Sequence, residues 1–279
     1  MSGVSRASRR RSPRPARRTT LRVVREIAKV RRVTAGWRAR GERVAFVPTM
    51  GAIHAGHLSL VARARASADR VVASIFVNPL QFGPGEDYRR YPRPRARDRA
   101  AFANAGVDLL WEPEATDLYP EGAATRVRVG GLGEVLEGAS RPGHFDGVAT
   151  VVLKLVNVVQ PAVLWLGQKD AQQAVVVERM LRDLDVPVTL RRGSTVRETD
   201  GLALSSRNAR LTVDQRESAL AIPRALATGD REQALAVLRA AGVETDYVEV
   251  ADLDGPTLAL AARVGDVRLI DNVLLKGAS

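Results

Sequence analysis

The sequence contains no cysteine, and only three of its 279 residues are histidine. The first absence removes a disulfide framework, a thiol nucleophile and any cysteine-ligated zinc, and it fits a reducing cytoplasm. No stretch approaches roughly 18 consecutive apolar residues, so the chain offers no helical membrane span. No Walker-type Gly-x-x-x-x-Gly-Lys-Ser/Thr occurs, which argues against a P-loop phosphate site. No internal repeat is found. What remains is 45% apolar, enough for a buried core in one large domain or two modest ones.

The formal charge of +12 invites a nucleic-acid reading, but its distribution weakens it. Residues 1–20, MSGVSRASRRRSPRPARRTT, hold seven Arg and no acid, and without them the net charge falls to +5. This tail has little apolar content and is expected to be a disordered leader. Three readings of it stand: a dispensable solvated leader from an over-long start, an organelle-targeting peptide, and a nonspecific polyanion-binding arm. It has no aromatic residue to stack on bases, which counts against a dedicated single-strand binder.

Beyond the tail, segments of helical and strand character alternate. LRVVREIAKVRRVTAGWRARG (21–41) has helical spacing, and RVAFVP (43–48) reads as a buried strand. HLSLVARARASAD (57–69) is an amphipathic helix and VVASIFVNP (71–79) a strand. The pattern continues with helix 96–106, strand 107–113, helix 147–161, strand 162–167, helix 170–184 and strand 186–193. This predicts an α/β domain with a parallel sheet over residues 21–195. From residue 196 the texture changes to two helical runs and two alternating strands, 243–252 and 266–275, predicting a smaller α+β domain over 196–279.

Most unusual polar clusters follow predicted strands, the sheet edge where ligands of open parallel sheets bind. In PTMGAIHAGH (48–57), His54 and His57 share a strand-to-helix turn with Gly51 and Gly56. Glycine lets backbone approach a ligand, a helix N-terminus supplies free N–H groups, and imidazole donates to phosphate oxygens. A metal site is the weaker alternative, because no third His or Cys lies nearby. GQKDAQQ (167–173) supplies Lys169 as a mobile cation, with Gln173 on the following helix. Asp170 either accepts from ribose hydroxyls or caps that helix. In LALSSRNARL (202–211), serines and Arg207 suit phosphate oxygens, although a plain turn explains the same residues. SRPGHFDG (140–147) carries His144 beside Arg141, without the partners of a hydrolase triad.

Together PTMGAIHAGH, SIFVNPLQFGPGEDYRRYPR, RPGHFDGVATVVLKL, GQKDAQQ, VRETDGLALSSRNARL and, more loosely, RLIDNVLL resemble the AMP-forming pantoate–beta-alanine ligase family over residues 21–279. His-Ala-Gly-His alone marks only a wider nucleotidyltransferase superfamily. The combination with NPLQF and LSSRN is far more specific. The resemblance implies condensation of pantoate with beta-alanine through a pantoyl adenylate, releasing pyrophosphate and AMP. It also implies Mg2+, a homodimer formed through a Rossmann-like N-terminal domain, and a smaller C-terminal domain that acts as a lid.

For the site, the resemblance implies ATP contacts from Met50, Gly51, Ala52, Ile53, His54, Ala55, Gly56 and His57. Further ATP contacts are implied for Gly167, Gln168, Lys169, Asp170, Val196, Leu204, Ser205, Ser206 and Arg207. His57 stands where the family's proton donor does, and His54, Lys169 and Arg207 are expected to stabilise phosphate charge. Gln81 and Gln173 match the pantoate-binding glutamines, with Gln81 also near the beta-alanine position and Asn78 supporting the pocket. Arg141 and His144 lie near it. Ala55 stands where Glu is frequent and Ala171 where Tyr is frequent. The stretch 93–98 leaves Asp98 as the remaining carboxylate for Mg2+. No specific nucleic-acid partner is expected.

Overall fold

The computed structural model describes residues 20–83 and 88–275, so the expectation for the Arg-rich leader lies outside the described residues but for Thr20. The described chain opens with a strand, β1 (Arg22–Val24), followed by helix α1 (Ile27–Ala39). The single helix expected over 21–41 is corrected here. Arg22–Val24 pairs in parallel with Leu109–Trp111, and its two consecutive β-branched valines suit a strand. α1 then buries Val30, Thr34 and Trp37, one stripe at helical spacing.

β2 (Val44–Thr49), α2 (Ala55–Ser67) and β3 (Arg70–Ile75) form the next unit. α3 (Arg95–Ala105), β4 (Leu109–Trp111) and two single-turn helices, α4 (Ala115–Leu118) and α5 (Glu137–Ser140), follow. Then come α6 (His144–Val159), β5 (Val163–Gly167), α7 (Ala171–Asp183) and β6 (Thr189–Gly193). The six strands make one parallel sheet in the order β1-β4-β3-β2-β5-β6. Both faces of the inner strands β4, β3, β2 and β5 are covered, so these are apolar on both sides, while the edge strands β1 and β6 are more exposed. Phe46, Val72, Leu109 and Leu164 pack toward α1, α6 and α7. Their neighbours Ala45, Val71, Leu110 and Val163 pack toward α2 and α3. The strand order reverses between β2 and β5, which places a ligand crevice beyond the ends of those two strands.

The C-terminal part holds α8 (Val213–Ala219), α9 (Ala221–Ala227) and α10 (Arg231–Ala240). These precede an antiparallel sheet of β7 (Glu244–Asp252), β8 (Pro256–Val264) and β9 (Val267–Leu274), in that order. The central strand β8 is absent from the sequence-based expectation. Its residues do not alternate because both faces are covered. Leu258, Leu260, Ala262 and Val264 join the core under α9 and α10, while Ala259 packs with Ala171 of α7 and Leu253. The α/β architecture with a smaller α+β unit is therefore as the sequence predicts. No described helix is long and apolar enough to cross a membrane.

Candidate active site

A cavity of about 660 Å³ opens at the switch point and is lined by residues of both sheets' connections. β2 feeds it the turn 50–56 and β5 the turn 167–170, and these two strands are hydrogen-bonded neighbours. Segments more than a hundred residues apart thus meet by sheet topology alone.

The first turn is held from below. Thr49 Oγ1 donates to the Ser74 carbonyl at 2.7 Å and accepts the Gly51 amide at 3.2 Å. The Asp98 carboxylate accepts the amides of Ala52 (2.9 Å) and Ile53 (2.8 Å). Gly51 has φ 90° and Ala52 φ 51°. A Cβ at Gly51 would stand 3.0 Å from Asp98 Oδ2, so glycine suits both the backbone and the space. Asp98 is only 1% exposed, on α3, with both oxygens engaged by the turn. It shapes the histidine turn through those two oxygens.

His54 is the N-cap of α2, and its Nδ1 accepts the Gly56 amide at 3.2 Å. His57 Nδ1 accepts the His54 amide at 3.3 Å. A neutral imidazole that accepts at Nδ1 carries its proton on Nε2, so both rings are set as Nε2–H donors. Burial depresses the His57 pKa to about 3, with the neighbouring His54 and Lys169 acting in the same direction against Asp170. Burial and Lys169 also lower His54, opposed by Asp170 and Glu198. The ring centroids are 4.0 Å apart, close enough that two imidazolium charges would repel.

Gln81 also lines the cavity, from the short turn Pro79–Gln81 capped by Asn78. Its Oε1 accepts from Asn78 Nδ2 at 3.1 Å, and its Nε2 lies 3.2 Å from Met50 Sδ. Asn78 is fixed in turn by the Tyr119 hydroxyl (2.8 Å) and the Gly147 carbonyl (3.0 Å). Arg141 and His144 do more than neighbour the pocket: both line it and both donate to the Gln81 carbonyl, at 3.2 and 2.8 Å. Gly147 of α6 is required here, because a Cβ would collide with the Leu80 carbonyl and stand 2.8 Å from the Gln81 amide. Gln173 lines the cavity from α7.

On the remaining side, Gly167, Lys169 and Asp170 line the cavity, with Lys169 Nζ 3.5 Å from Asp170 Oδ1. Val196, Leu204, Ser205, Ser206 and Arg207 line it from the C-terminal part. Ser205 Oγ accepts the Arg207 amide at 3.2 Å, which starts the short turn Ser206–Arg210. Gly51, Ala52, Ile53, Ala55 and Gln168 do not line the cavity. They form the turns from which the lining residues project.

Several residues escaped the sequence reading. Tyr91 lines the cavity, its hydroxyl 3.5 Å from Ser206 Oγ. Glu137 is buried and receives both Arg268 guanidinium nitrogens at 2.7 Å and the Tyr247 hydroxyl at 3.0 Å, joining the two parts of the chain. Asn272 of β9 donates to the Gln168 and Lys169 carbonyls. A lone Glu, Tyr or Asn carries no local pattern, so only RLIDNVLL signalled Asn272.

Fold and site define a class: a doubly wound α/β protein with an anion-cradling cleft at the switch point of its sheet. Comparison with known proteins gives the family. The sequence profile of pantoate-beta-alanine ligase matches residues 22–274. The pantothenate synthetase of Moorella thermoacetica is 51% identical, over 92% of this chain and 99% of that protein. That of Chloroflexus aggregans is 51% identical, over 91% and 100%. The crystal structure of pantothenate synthetase from Thermus thermophilus superposes with a TM-score of 0.86 at 46% identity, covering 92% of this chain and 100% of that one. The pantoate-beta-alanine ligase of Francisella tularensis, solved with beta-gamma ATP and beta-alanine, gives 0.85 at 35% identity, over 93% and 100%. This chain belongs to the pantoate–beta-alanine ligase family.

Proposed function

We propose that the chain condenses pantoate with beta-alanine, using ATP and releasing AMP and pyrophosphate. The observation that carries this reading is one cavity lined by two chemistries. Lys169, Arg207 and two neutral imidazole donors line it together with the primary amides of Gln81 and Gln173. The first set suits a polyphosphate and the second the hydroxyls and carboxylate of pantoate.

In the first step a pantoate carboxylate oxygen attacks the α-phosphorus and the bond to pyrophosphate breaks. Two anions must be brought together, so positioning and fixed positive charge carry the rate. Lys169 and Arg207 supply charge, Ser205 and Ser206 hydroxyls, and His54 and His57 their Nε2–H groups. The depressed pKa of His57 supports hydrogen-bond donation by a neutral ring over proton transfer from an imidazolium. In the second step the beta-alanine amine attacks the acyl carbon, the bond to AMP breaks, and the amine releases a proton to solvent.

Among the described residues no group of three or more His, Asp or Glu side chains could hold a metal. The donor set does not fit a resident Mg2+, which in this reading accompanies the triphosphate. Residues 196–279 act as lid to a domain of residues 21–195, and the enzyme is a cytoplasmic homodimer, which sedimentation would test.

The test is AMP release requiring both pantoate and beta-alanine, in full-length and tail-deleted protein. Pyrophosphate exchange with another acid and never with pantoate would reassign the chain to a different adenylyl transfer.

A further inference from the structure

The strand β9 presents two consecutive buried polar residues, Asp271 (3% exposed) and Asn272 (6%), at the free edge of its sheet. Both side chains reach out of their own sheet. Asn272 Nδ2 donates to the Gln168 carbonyl at 3.0 Å and the Lys169 carbonyl at 2.8 Å. Asp271 receives the Arg197 guanidinium in a two-pronged pair, at 2.6 and 3.1 Å, and its Oδ1 also accepts the Asn272 amide at 2.8 Å. Arg197 directly follows Val196 and donates to the Gly201 carbonyl at 3.1 Å, so the same pair of residues steadies the approach to the Ser205–Arg207 turn.

The orientation of the Asn272 amide is fixed by chemistry. Its two partners are carbonyls, so the nitrogen must face them. Among the described residues its buried Oδ1 has no hydrogen-bond partner, so the hydrogen bonds that orient the amide there are those two. The turn Gln168–Asp170 has no side-chain cap from its own N-cap residue Gly167. Its carbonyls are held from the other sheet.

We propose that Asn272 is a positioning residue for adenylate formation: it fixes the backbone of Lys169, so that docking of the C-terminal sheet sets where the lysine ammonium stands. This rests on the ligase reading for the role of Lys169. Misplacing a charged group by a fraction of an ångström is enough to cost about 10–100-fold in rate.

The test uses Asn272→Ala and Asn272→Asp in the full chain, the second filling the same space without the two donors. Pantoate-dependent ATP–pyrophosphate exchange is expected to fall about 10–100-fold in kcat. The KM for pantoate and the capture of preformed pantoyl adenylate by beta-alanine should stay near the original values. In a Lys169→Ala background, Asn272→Ala should add nothing, because it acts through that lysine. Independent, additive losses would overturn the proposal, as would unchanged exchange in both Asn272 variants. Hydrogen exchange of the amides across 167–173 supplies an arm that needs no turnover. It should accelerate in both Asn272 variants and not in Lys169→Ala, and identical protection would overturn the proposal. If the unaltered chain shows no pantoate-dependent exchange, the ligase reading fails, while the amide arm still decides whether Asn272 holds the turn.

Discussion

Asp98 Oδ2 accepts the backbone amide of Ala52 at 2.9 Å, and Ala52 is held at φ 51°, in the left-handed region. A carboxylate from α3 thereby sets the conformation of the turn that aims two histidines. Asp98→Ala would strand two buried amides, at a cost of about 2–4 kcal/mol measurable by urea unfolding. Pyrophosphate exchange should fall about 100-fold as the turn relaxes. Raising Mg2+ should not restore it. Rescue by Mg2+ would return Asp98 to the metal.

His57 is expected to stay neutral through the working range, because burial holds its pKa near 3. The acid limb of the rate profile between pH 5 and 8 should therefore survive unchanged in shape in a His57→Gln variant of lower kcat. The ring's nitrogen shifts should report an Nε2–H tautomer throughout. The stability consequence has a definite sign. The folded pKa lies below the ordinary value of 6.5, so the unfolded chain binds the extra proton. This contribution is complete above pH 6.5 and is lost as pH falls toward about 3, at no more than about 1.4 kcal/mol per pH unit. An imidazolium signal from His57 at pH 6 would contradict this.

Gly147→Ala should improve the intrinsic helix propensity of α6 by about 1 kcal/mol yet harm the site. The added methyl would collide with the Leu80 carbonyl and displace the Gln81 turn. The expected outcome is a rise of about tenfold or more in the KM for pantoate, one lost or weakened buried hydrogen bond being worth about 1–2 kcal/mol. ATP binding, measured by calorimetry, should be unaltered, since the displaced turn carries Gln81 and none of the residues proposed for the phosphates. An unchanged KM would mean that Gln81 does not read pantoate.

The doubly wound sheet was legible because its strands are short apolar runs separated by amphipathic helices. His54, Lys169 and Gln81 were legible because they sit in loops at strand ends. Two kinds of feature were hidden. β1 reads as part of a helix because three residues carry too little periodicity, and only pairing with β4 makes it a strand. β8 reads as neither strand nor helix because it is covered on both faces, one of them by α7. In the site, the residues that hold others in place were missed. The amides that Asp98 accepts are not legible, since a carboxylate looks the same in sequence whether it faces a cation or two amides.

Glu137 and Arg268 form the buried ion pair between the two parts of the chain, with two 2.7 Å contacts and a third, 3.0 Å hydrogen bond from Tyr247. Burial pulls the Arg268 pKa down, but Glu137 and Asp246 outweigh it and leave the guanidinium above its ordinary value. Burial and the Glu137 charge both push the Tyr247 hydroxyl upward, so it remains a donor. Removing Arg268 takes the charged partner from a buried carboxylate, which costs about 3–5 kcal/mol, whereas removing Glu137 leaves Arg268 still paired with Asp246. Arg268→Met should destabilise by that order in chemical denaturation and Glu137→Gln by less, and the double variant should lose less than their sum. The loss should concentrate where the two sheets meet, read as faster proteolysis or amide exchange around 136–141. Leu136 is held there at φ 50° beside the pair. Strict additivity would mean that the two side chains do not depend on each other.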